Sequence, residues 1–266
     1  MAEHPFTVAT CNLRVDAGAA SAATAWPARR PLMRASLRRI APDILGTQEG
    51  LPHQLQDLAD DLPEYQWVGQ GREGGGQGEV MAIFYRHERY EARETQHYWL
   101  SDTPDIPGSC TWGNQFKRMA TAVRLFDRLA QRELIVLNTH WDHAVQEARE
   151  KSARLMRERT ALWPSALPLV LTGDFNAEAG NNPAYDLLVQ DGFFRDAWAT
   201  AARRCGDEAL NTFHDFQQPP RREGRRIDWI MLRGPVRADT IEVVNDARDG
   251  RRPSDHFPVV ARLAFD

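Results

Sequence analysis

Cysteine is scarce in this sequence, whose 266 residues include only Cys11, Cys110 and Cys205. The three lie far apart and no pair has the C-x-x-C spacing, so the sequence predicts neither a disulfide framework nor a zinc knuckle. This scarcity is typical of proteins from a reducing compartment.

Excess basic charge and long apolar runs are also lacking. The formal net charge is −4, so the field of the whole molecule would repel a polyanion, and a phosphate substrate must be attracted locally. No apolar run approaches the length of a membrane span. The amino terminus enters a strand-like segment at once, without the features of a secretory signal. With Met1 as the native start, we expect a cytoplasmic protein without membrane insertion.

The apolar pattern alternates between strands and helices at both ends of the chain. Residues 6–13 and 43–47 have the pattern of strands, and each precedes a segment with apolar residues at helical spacing. Residues 65–125 contain short strand-like runs broken by glycine and proline, and a charged helix is predicted over residues 145–163. The length suits one large domain or two small ones. The pattern predicts an α/β protein with mixed sheets.

Polar residues with metal or acid–base chemistry stand at the ends of several predicted strands: Asn12, Glu49, His140, Asp174 with Asn176, Asp228, and Asp255 with His256. Each one alone is explained more simply as a turn or a helix cap. A buried carboxylate, however, is costly unless it is paired or bound to a cation. Their number and order along the chain therefore indicate one shared crevice at the edge of the sheets.

Most of these groups offer oxygen atoms to a metal ion. Asn12, Glu49, Asp174, Asn176 and Asp255 form the kind of set that Mg²⁺ or Mn²⁺ prefers, whereas zinc would need cysteine or more clustered histidine. Histidines beside such a cation suit the attack of water on a phosphoryl centre. The metal would neutralise oxygen charge, one imidazole would activate the water, and another polar group would stabilise the developing negative charge.

The motifs QE, NTH, GDFN, IDW and SDH follow one another between CNLR at residues 11–14 and SDHFPV at residues 254–259. Together they resemble the endonuclease/exonuclease/phosphatase superfamily of metal-dependent phosphohydrolases. The combination of GQGREGGGQGE, YWLS, NTHWDH and SDHFPV is most similar to poorly characterised bacterial members. The resemblance covers essentially the whole chain. It implies one domain over residues 1–266, folded as a four-layer α/β/β/α sandwich of two mixed β-sheets flanked by helices.

The resemblance also implies a role for each matched residue. Glu49 would be the principal ligand of Mg²⁺ or Mn²⁺, Asp255 would contribute to the same site, and Asn12 would lie beside the metal and the phosphate. Asp174 and Asn176 would position the attacking water and the phosphoryl oxygens.

The histidines would handle protons and the scissile phosphate. His256 would be the acid–base group, oriented by Asp228 in the carboxylate–imidazole manner that fixes a tautomer. His140 would hydrogen-bond the scissile phosphate or protonate the leaving oxygen. Apurinic endonucleases carry asparagine at that position, which argues against an abasic-site function. Glu79 is the candidate carboxylate that would orient His140, with a solvated strand residue as the alternative.

Substrate contacts are less strongly indicated. Arg72 and Arg118, with Glu79, form the candidate substrate-binding group, although a solvated surface arginine explains each arginine equally well. The basic loops at residues 221–226 and 248–253 directly precede IDW and SDH, so they are expected to rim the site. Three tryptophans beside motif residues suit stacking on a base or ring, or core packing: Trp99, Trp141 and Trp229.

The function predicted from the sequence is therefore a Mg²⁺- or Mn²⁺-dependent phosphohydrolase that uses water as the nucleophile. Phosphodiesters of nucleic acid are the preferred substrate, and no obligate protein partner is indicated. The alternative is hydrolysis of a small phosphorylated sugar, inositol or lipid head group. A remote alternative is a non-catalytic phosphate-binding module, which would be expected to lack one of the matched residues.

Overall fold

A computed structural model describes residues 4–16, 18 and 21–266. The helices are α1 Trp26–Ile40, α2 Pro52–Asp61, α3 Gln146–Ala161, α4 Pro183–Val189 and α5 Ala197–Thr200, with a 3₁₀ turn at Gln190–Gly192. The strands are β1 Phe6–Asn12, β2 Ile44–Gly50, β3 Tyr65–Val68, β4 Val80–Arg86, β5 Tyr90–Trp99, β6 Met119–Asp127, β7 Arg132–His140, β8 Leu169–Asp174, β9 Arg195–Asp196, β10 Arg203–Cys205, β11 Asp228–Arg233, β12 Val236–Val243 and β13 Val259–Phe265.

The strands form two mixed sheets. The first has seven strands in the order β10-β12-β13-β1-β2-β4-β3, and the second has six in the order β5-β6-β7-β8-β11-β9. Within them β1 pairs with β2, and β7 with β8, in parallel, while most other neighbours are antiparallel. The predicted α/β class with mixed sheets is therefore confirmed.

The hydrophobic core lies in three layers. Between the sheets, β-branched and leucine side chains of both sheets meet, including Val8 and Ile44 from the first and Val136 and Ile230 from the second. The outer face of the first sheet packs on α1 and α2. The outer face of the second sheet packs on α3 and α4. The order of layers is helix, sheet, sheet, helix, as the resemblance implied.

A buried polar network joins the two sheets near one end of the sandwich. The amide nitrogen of Asn138 in β7 donates to the carbonyl oxygens of Thr47 and Ala82, at 2.7 and 3.0 Å. Its amide oxygen accepts from Gln48 Nε2 and Thr172 Oγ1. Every polar atom of the Asn138 side chain therefore has a partner, as a buried amide requires. This network fixes β2 against β7 and β8, whose ends carry the predicted site residues.

Close approach of the sheets also explains a glycine in β2. A Cβ atom added to Gly46 would lie 2.2 Å from Thr172 Oγ1 and 2.7 Å from Asn138 Oδ1. Any side chain at this position would separate the sheets where the network joins them.

The three tryptophans beside the motifs are part of the core. Trp99, Trp141 and Trp229 are each at most 2% exposed. The Trp229 ring stacks on Phe175 at 4.2 Å between centroids, and Trp141 packs edge-on against both rings. The interpretation of these tryptophans as stacking platforms for a substrate is wrong, because their rings are already enclosed by apolar neighbours.

Among the described helices, none combines the length and the apolar character needed to cross a lipid bilayer.

Candidate active site

The register of the strands brings their polar ends to one edge of the sandwich. In the parallel pairs, Asn12 lies opposite Gln48, and His140 lies opposite Asp174. In the antiparallel pair of β8 and β11, Asp174 lies opposite Asp228. Residues that are 162 positions apart, such as Asn12 and Asp174, thereby come within hydrogen-bonding distance.

At this edge lies a cavity of about 490 Å³. Nine of the predicted site residues line it: Glu49, Arg72, Glu79, Arg118, His140, Asp174, Asn176, Asp255 and His256. Asn12 and Asp228 lie behind this lining, each hydrogen-bonded to one of its members. Seven further residues of the lining were not predicted: Arg14, Val15, Phe116, His143, Phe213, Asp215 and Ile227.

The backbone of β2 turns Glu49 towards the cavity. The pairing with β4 is irregular between Thr47 and Gly50, and Glu49 has a φ of 62°, in the left-handed region that costs a non-glycine residue energy. The carboxylate accepts from Asn12 Nδ2 and from the backbone N–H of Val15, both at 2.9 Å. Burial opposes the charged form, but the charge of His256 and these hydrogen bonds outweigh it, so the pKa of Glu49 is lowered. Glu49 is therefore a carboxylate at neutral pH.

Asn12 holds the acidic groups together. Its amide nitrogen donates to Glu49 Oε1 at 2.9 Å and to Asp174 Oδ2 at 3.0 Å, while its amide oxygen accepts from the Arg14 N–H. Both ends of the amide are therefore engaged by protein groups. In this arrangement Asn12 positions two carboxylates through its amide nitrogen, while its amide oxygen keeps one lone pair free.

Asp174 lies at the centre of the cluster. Its Oδ2 is 3.5 Å from His140 Nε2 and 3.7 Å from His256 Nε2, and its Oδ1 accepts from the Asn176 N–H. Burial, and then the nearby charge of Asp228, raise the pKa of Asp174 to about 7. A carboxyl group that is poised near neutrality is suited to exchanging a proton with water.

His256 is held in its charged form by carboxylates. Its Nδ1–H donates to Asp228 Oδ2 at 2.9 Å, and both side chains are buried. Burial alone would lower the pKa, but the charges of Asp228 and Asp174 outweigh it and raise the pKa of His256 well above 6.5. The ring therefore presents a charged Nε2–H towards Asp174 and the cavity.

His140 is in the opposite ionisation state. Burial, followed by the charges of Arg118 and Arg72, lowers its pKa well below 6.5. Its Nε2 accepts from the amide nitrogen of Asn176 at 3.0 Å, so the proton of the neutral ring is on Nδ1. That atom is 3.9 Å from Glu79 Oε2. This distance is too long for a hydrogen bond, so the role of Glu79 in orienting His140 stays a prediction. His140 itself accepts a hydrogen bond from Asn176 and thereby helps to orient that amide.

The donor set fits a divalent cation. Glu49, Asp174 and His256 each offer an atom, and these atoms lie within 4.8 Å of one another. Mg²⁺ and Mn²⁺ prefer oxygen ligands, so the carboxylates are the stronger candidates, and Asp255 is the next one on the cavity wall after Glu49 and Asp174. Asp255 Oδ2 lies 3.4 Å from Arg14 Nε, and burial raises its pKa. The lining holds five carboxylates against three guanidiniums and the charged His256 ring, so its negative groups outnumber its positive groups by at most one.

The arginines at the cavity are held by acidic neighbours. Arg72 Nη1 donates to Glu79 Oε2 at 2.7 Å. Arg118 is only 5% exposed, and its Nε lies 3.9 Å from Asp142 Oδ2. The alternative interpretation of Arg118 as a solvated surface residue is therefore wrong.

The two basic loops do not contribute to the cavity. No arginine from residues 221–226 or 248–253, all of them described, lines it. Arg222, Arg225 and Arg226 pair with acidic residues outside the cavity, while Arg251 and Arg252 donate to backbone carbonyls. The cavity lining therefore does not support the expectation that these loops rim the site, and three of their arginines are paired with acidic residues that the sequence alone does not identify.

A buried arginine joins the two chain segments that carry the acidic cluster. Arg29 in α1 is 1% exposed, and its guanidinium donates to the carbonyl oxygens of Leu13, Arg14, Thr24 and Pro253. Leu13 follows Asn12 directly, and Pro253 lies two residues before Asp255. Arg29 thereby fixes the distance between the start and the end of the chain at the site.

We expect Arg29→Met to lower the free energy of unfolding by about 3 kcal/mol or more. The substitution leaves the buried carbonyl groups of Leu13 and Pro253 without their donor, and each such group costs about 1–3 kcal/mol unless water reaches it. Denaturant unfolding measures the change. Arg39→Met is the matched control in the same helix, because Arg39 makes only an exposed ion pair with Asp246 and should change stability by less than about 1 kcal/mol. Equal effects of the two substitutions would contradict the role given to Arg29.

Known proteins resemble this chain in both sequence and structure. The sequence model of a family described as "Endonuclease/Exonuclease/phosphatase family" matches residues 9–256. A structure of an endonuclease/exonuclease/phosphatase family protein from Bacteroides thetaiotaomicron is 34% identical, with 100% of each chain covered and a TM-score of 0.93. A mannosyl-6-phosphatase from Bacteroides thetaiotaomicron VPI-5482 is 35% identical, with 98% of this chain and 100% of that chain covered and a TM-score of 0.91.

More distant structures share the fold. TDP2 from D. rerio, solved with a single-strand DNA product, is 18% identical over 97% of this chain and 98% of that chain, with a TM-score of 0.76. At this identity the likeness concerns the fold alone. None of the curated proteins matches the sequence.

Proposed function

Because the chain belongs to the endonuclease/exonuclease/phosphatase family, a family of phosphoester hydrolases, we propose that it hydrolyses the phosphate ester of a small molecule, in the first place a phosphorylated sugar. The observation that carries the choice is the cavity, whose volume of about 490 Å³ lies in the range of small-molecule sites. The 35% identical mannosyl-6-phosphatase supports it. The sequence alone favoured nucleic acid, but the basic loops and the tryptophans expected to bind a polymer lie outside the cavity.

The reaction proposed is the attack of a water oxygen on phosphorus with cleavage of the bond to the ester oxygen, which takes up a proton from solvent water and leaves as an alcohol. A bound Mg²⁺ or Mn²⁺, held by Glu49 and Asp255, would supply positive charge for the phosphoryl oxygens. Asp174, with a pKa of about 7, takes the proton of the attacking water. His256 donates its charged Nε2–H to a phosphoryl oxygen and stabilises the negative charge that develops there.

The neighbouring residues position these groups. Asp228 holds the His256 ring in one orientation through its 2.9 Å hydrogen bond. His140 holds the amide of Asn176, which donates a second hydrogen bond to the Trp141 carbonyl. Asn176 is thereby kept beside Asp174, where its amide oxygen accepts a hydrogen bond from the attacking water and orients it. Arg72 and Arg118 bind the charged oxygens of the ester.

Nucleic acid is the second candidate, and one observation favours it. Phe116 and Phe213 line the cavity and are each 37% exposed, which is unusual for phenylalanine. Exposed aromatic rings stack on nucleic-acid bases in many single-strand binding sites. The same rings also pack against sugars, so the substrates must be compared directly.

We expect removal of divalent metal to abolish turnover and Mg²⁺ or Mn²⁺ to restore it. The measurement is phosphate release or strand cleavage, before and after EDTA treatment, on mannose 6-phosphate, inositol phosphates, sphingomyelin, RNA, and single- and double-stranded DNA. Metal-dependent release from mannose 6-phosphate, with the polymers intact, is the expected result. Cleavage of a polymer alone would replace the proposal with a nuclease. Equal signals from wild type and His256→Ala on every substrate would point to a non-catalytic binding module.

A further inference from the structure

One side of the cavity is formed by four residues from three loops: Arg72, Phe116, Arg118 and His143. These four are called the Phe116 wall here. It adjoins the hydrolytic cluster through Glu79, which bonds Arg72 at 2.7 Å and lies 3.9 Å from His140. Phe213, by contrast, packs against His256. The acidic cluster thus lies between Phe213 and the Phe116 wall, and the wall can reach the part of the substrate beyond the phosphate.

His143 is held in place by a buried cation. Arg118 Nη2 lies 3.3 Å from His143 Nδ1, and because a guanidinium can only donate, Nδ1 is the acceptor. The proton of the neutral ring is therefore on Nε2. The ring also packs against Phe116, at 5.8 Å between centroids. His143 consequently offers a fixed N–H donor on a wall of the cavity.

The charges of the wall are already balanced. Arg72 pairs with Glu79 and lies 3.8 Å from Glu73, and Lys117 beside it pairs with Glu73. Arg118 lies 3.9 Å from Asp142. Three basic side chains therefore face three carboxylates, and the wall offers little net positive charge to a second anionic group.

The aromatic ring adds an apolar surface to these polar groups. Phe116 has Arg72 over its ring at 5.1 Å, and 37% of the side chain remains exposed. The face of an aromatic ring carries partial negative charge, which attracts the C–H groups of a sugar ring. An apolar ring with a few fixed polar groups around it is the usual composition of a site for a small organic ligand.

We propose that the Phe116 wall binds the uncharged polyhydroxylated part of the substrate, so that the enzyme selects esters with a neutral sugar and disfavours those with a second phosphate. This proposal rests on the proposed function and specifies its substrate. Phe116 packs against the sugar ring, and His143 donates its Nε2–H to a hydroxyl oxygen. Because Arg72 and Arg118 bind the oxygens of the first phosphate, a second phosphate would lie beside Glu79 and Asp142 with no further net positive charge to offset its own.

The first test compares three substrates: mannose 6-phosphate, mannose 1,6-bisphosphate and 4-nitrophenyl phosphate, which has no hydroxyl groups on its ring. For wild type we expect kcat/KM on the monophosphate to exceed that on the bisphosphate by about 10-fold or more, the scale of one unfavourable polar contact. A bisphosphate used equally well would overturn the proposal.

Two substitutions separate the contributions of the wall. His143→Ala is expected to raise KM for mannose 6-phosphate and so lower kcat/KM by about 5- to 10-fold, which corresponds to the loss of one hydrogen bond. On 4-nitrophenyl phosphate, which has no hydroxyl group for His143 to bind, kcat/KM should change less than about 2-fold. Phe116→Leu is expected to raise KM for mannose 6-phosphate and for 4-nitrophenyl phosphate, because each has a ring that packs against Phe116. The matched control is His87→Ala, because His87 follows β4 at the end away from Glu79. If His143→Ala lowered kcat/KM equally on mannose 6-phosphate and 4-nitrophenyl phosphate, the proposed contact with a hydroxyl group would be contradicted.

A binding measurement tests the role of the Phe116 wall independently of turnover. In the Asp174→Asn background, calorimetry gives the affinity for mannose 6-phosphate relative to inorganic phosphate. We expect the ester to bind about 10-fold more tightly and His143→Ala to remove most of that difference. An ester that binds no more tightly than phosphate, or a ratio that His143→Ala leaves unchanged, would overturn the role of the wall. Absence of phosphate release by wild type would instead contradict the proposed function.

Discussion

Replacing His256 with alanine is expected to lower kcat on the preferred phosphate ester by about 10³- to 10⁴-fold, with the protein still folded. The substitution removes the charged Nε2–H, 3.7 Å from Asp174, that is proposed to stabilise the developing phosphoryl charge. It also leaves Asp228 without its 2.9 Å partner. The measurement is kcat at saturating substrate and Mg²⁺, with thermal unfolding recorded on the same samples.

Asp228→Asn tests whether Asp228 acts by orienting the His256 ring or by supplying negative charge beside it. The amide can still accept a hydrogen bond from His256 Nδ1 but no longer supplies the negative charge that raises the pKa of the ring. We therefore expect a smaller loss of about 10- to 100-fold. His97→Ala, in β5 and outside the cavity lining, should leave kcat within about 2-fold. A His256→Ala enzyme within 10-fold of wild type would contradict the catalytic role.

The opposite charge states of the two histidines show what a sequence cannot predict. NTH and SDH present two similar histidines at strand ends. In the structure His256 faces two carboxylates, whereas His140 is buried near two arginines. The residue types were predictable because Asn12, Glu49 and Asp174 each stand where a buried strand ends. The ionisation states depend on distances between segments far apart in the chain.

The same distinction holds for the fold and the cavity. Strand and helix periodicity was enough to predict mixed sheets with helices outside, since each element has its own apolar repeat. Phe116, Phe213 and Asp215 lie in irregular segments without such a repeat, and no sequence pattern identified them. Arg29 was missed for a related reason: its four carbonyl partners are backbone atoms, which carry no sequence signal. The acidic partners of three arginines in the basic loops were not predicted either, because they lie elsewhere in the chain.

Glu49→Gln is expected to have the second largest effect, a loss of about 10³-fold in kcat/KM. The substitution removes a charge from the proposed metal ligands, and metal stabilisation of a phosphoryl transition state is worth several kcal/mol, each about 1.4 kcal/mol corresponding to 10-fold in rate. Asn12 Nδ2 and the Val15 N–H bond different oxygens of Glu49, so the single amide oxygen of glutamine can accept only one of the two hydrogen bonds. Thermal unfolding on the same samples checks that the fold persists. The loss should come with a higher Mg²⁺ concentration for half-maximal activity.

The dependence on Mg²⁺ also decides which carboxylates hold the cation. Glu49, Asp174 and His256 are the closest set of donors, but the preference of Mg²⁺ for oxygen ligands favours Asp255 as the further ligand. Asp255→Asn should therefore raise the Mg²⁺ requirement as Glu49→Gln does. Asp215→Asn is the matched control, because Asp215 lines the same cavity outside the closest donor set, and its Mg²⁺ requirement should stay within about 2-fold. If all three substitutions raised the requirement equally, the cation would be held by the general negative charge of the cavity and not by specific ligands.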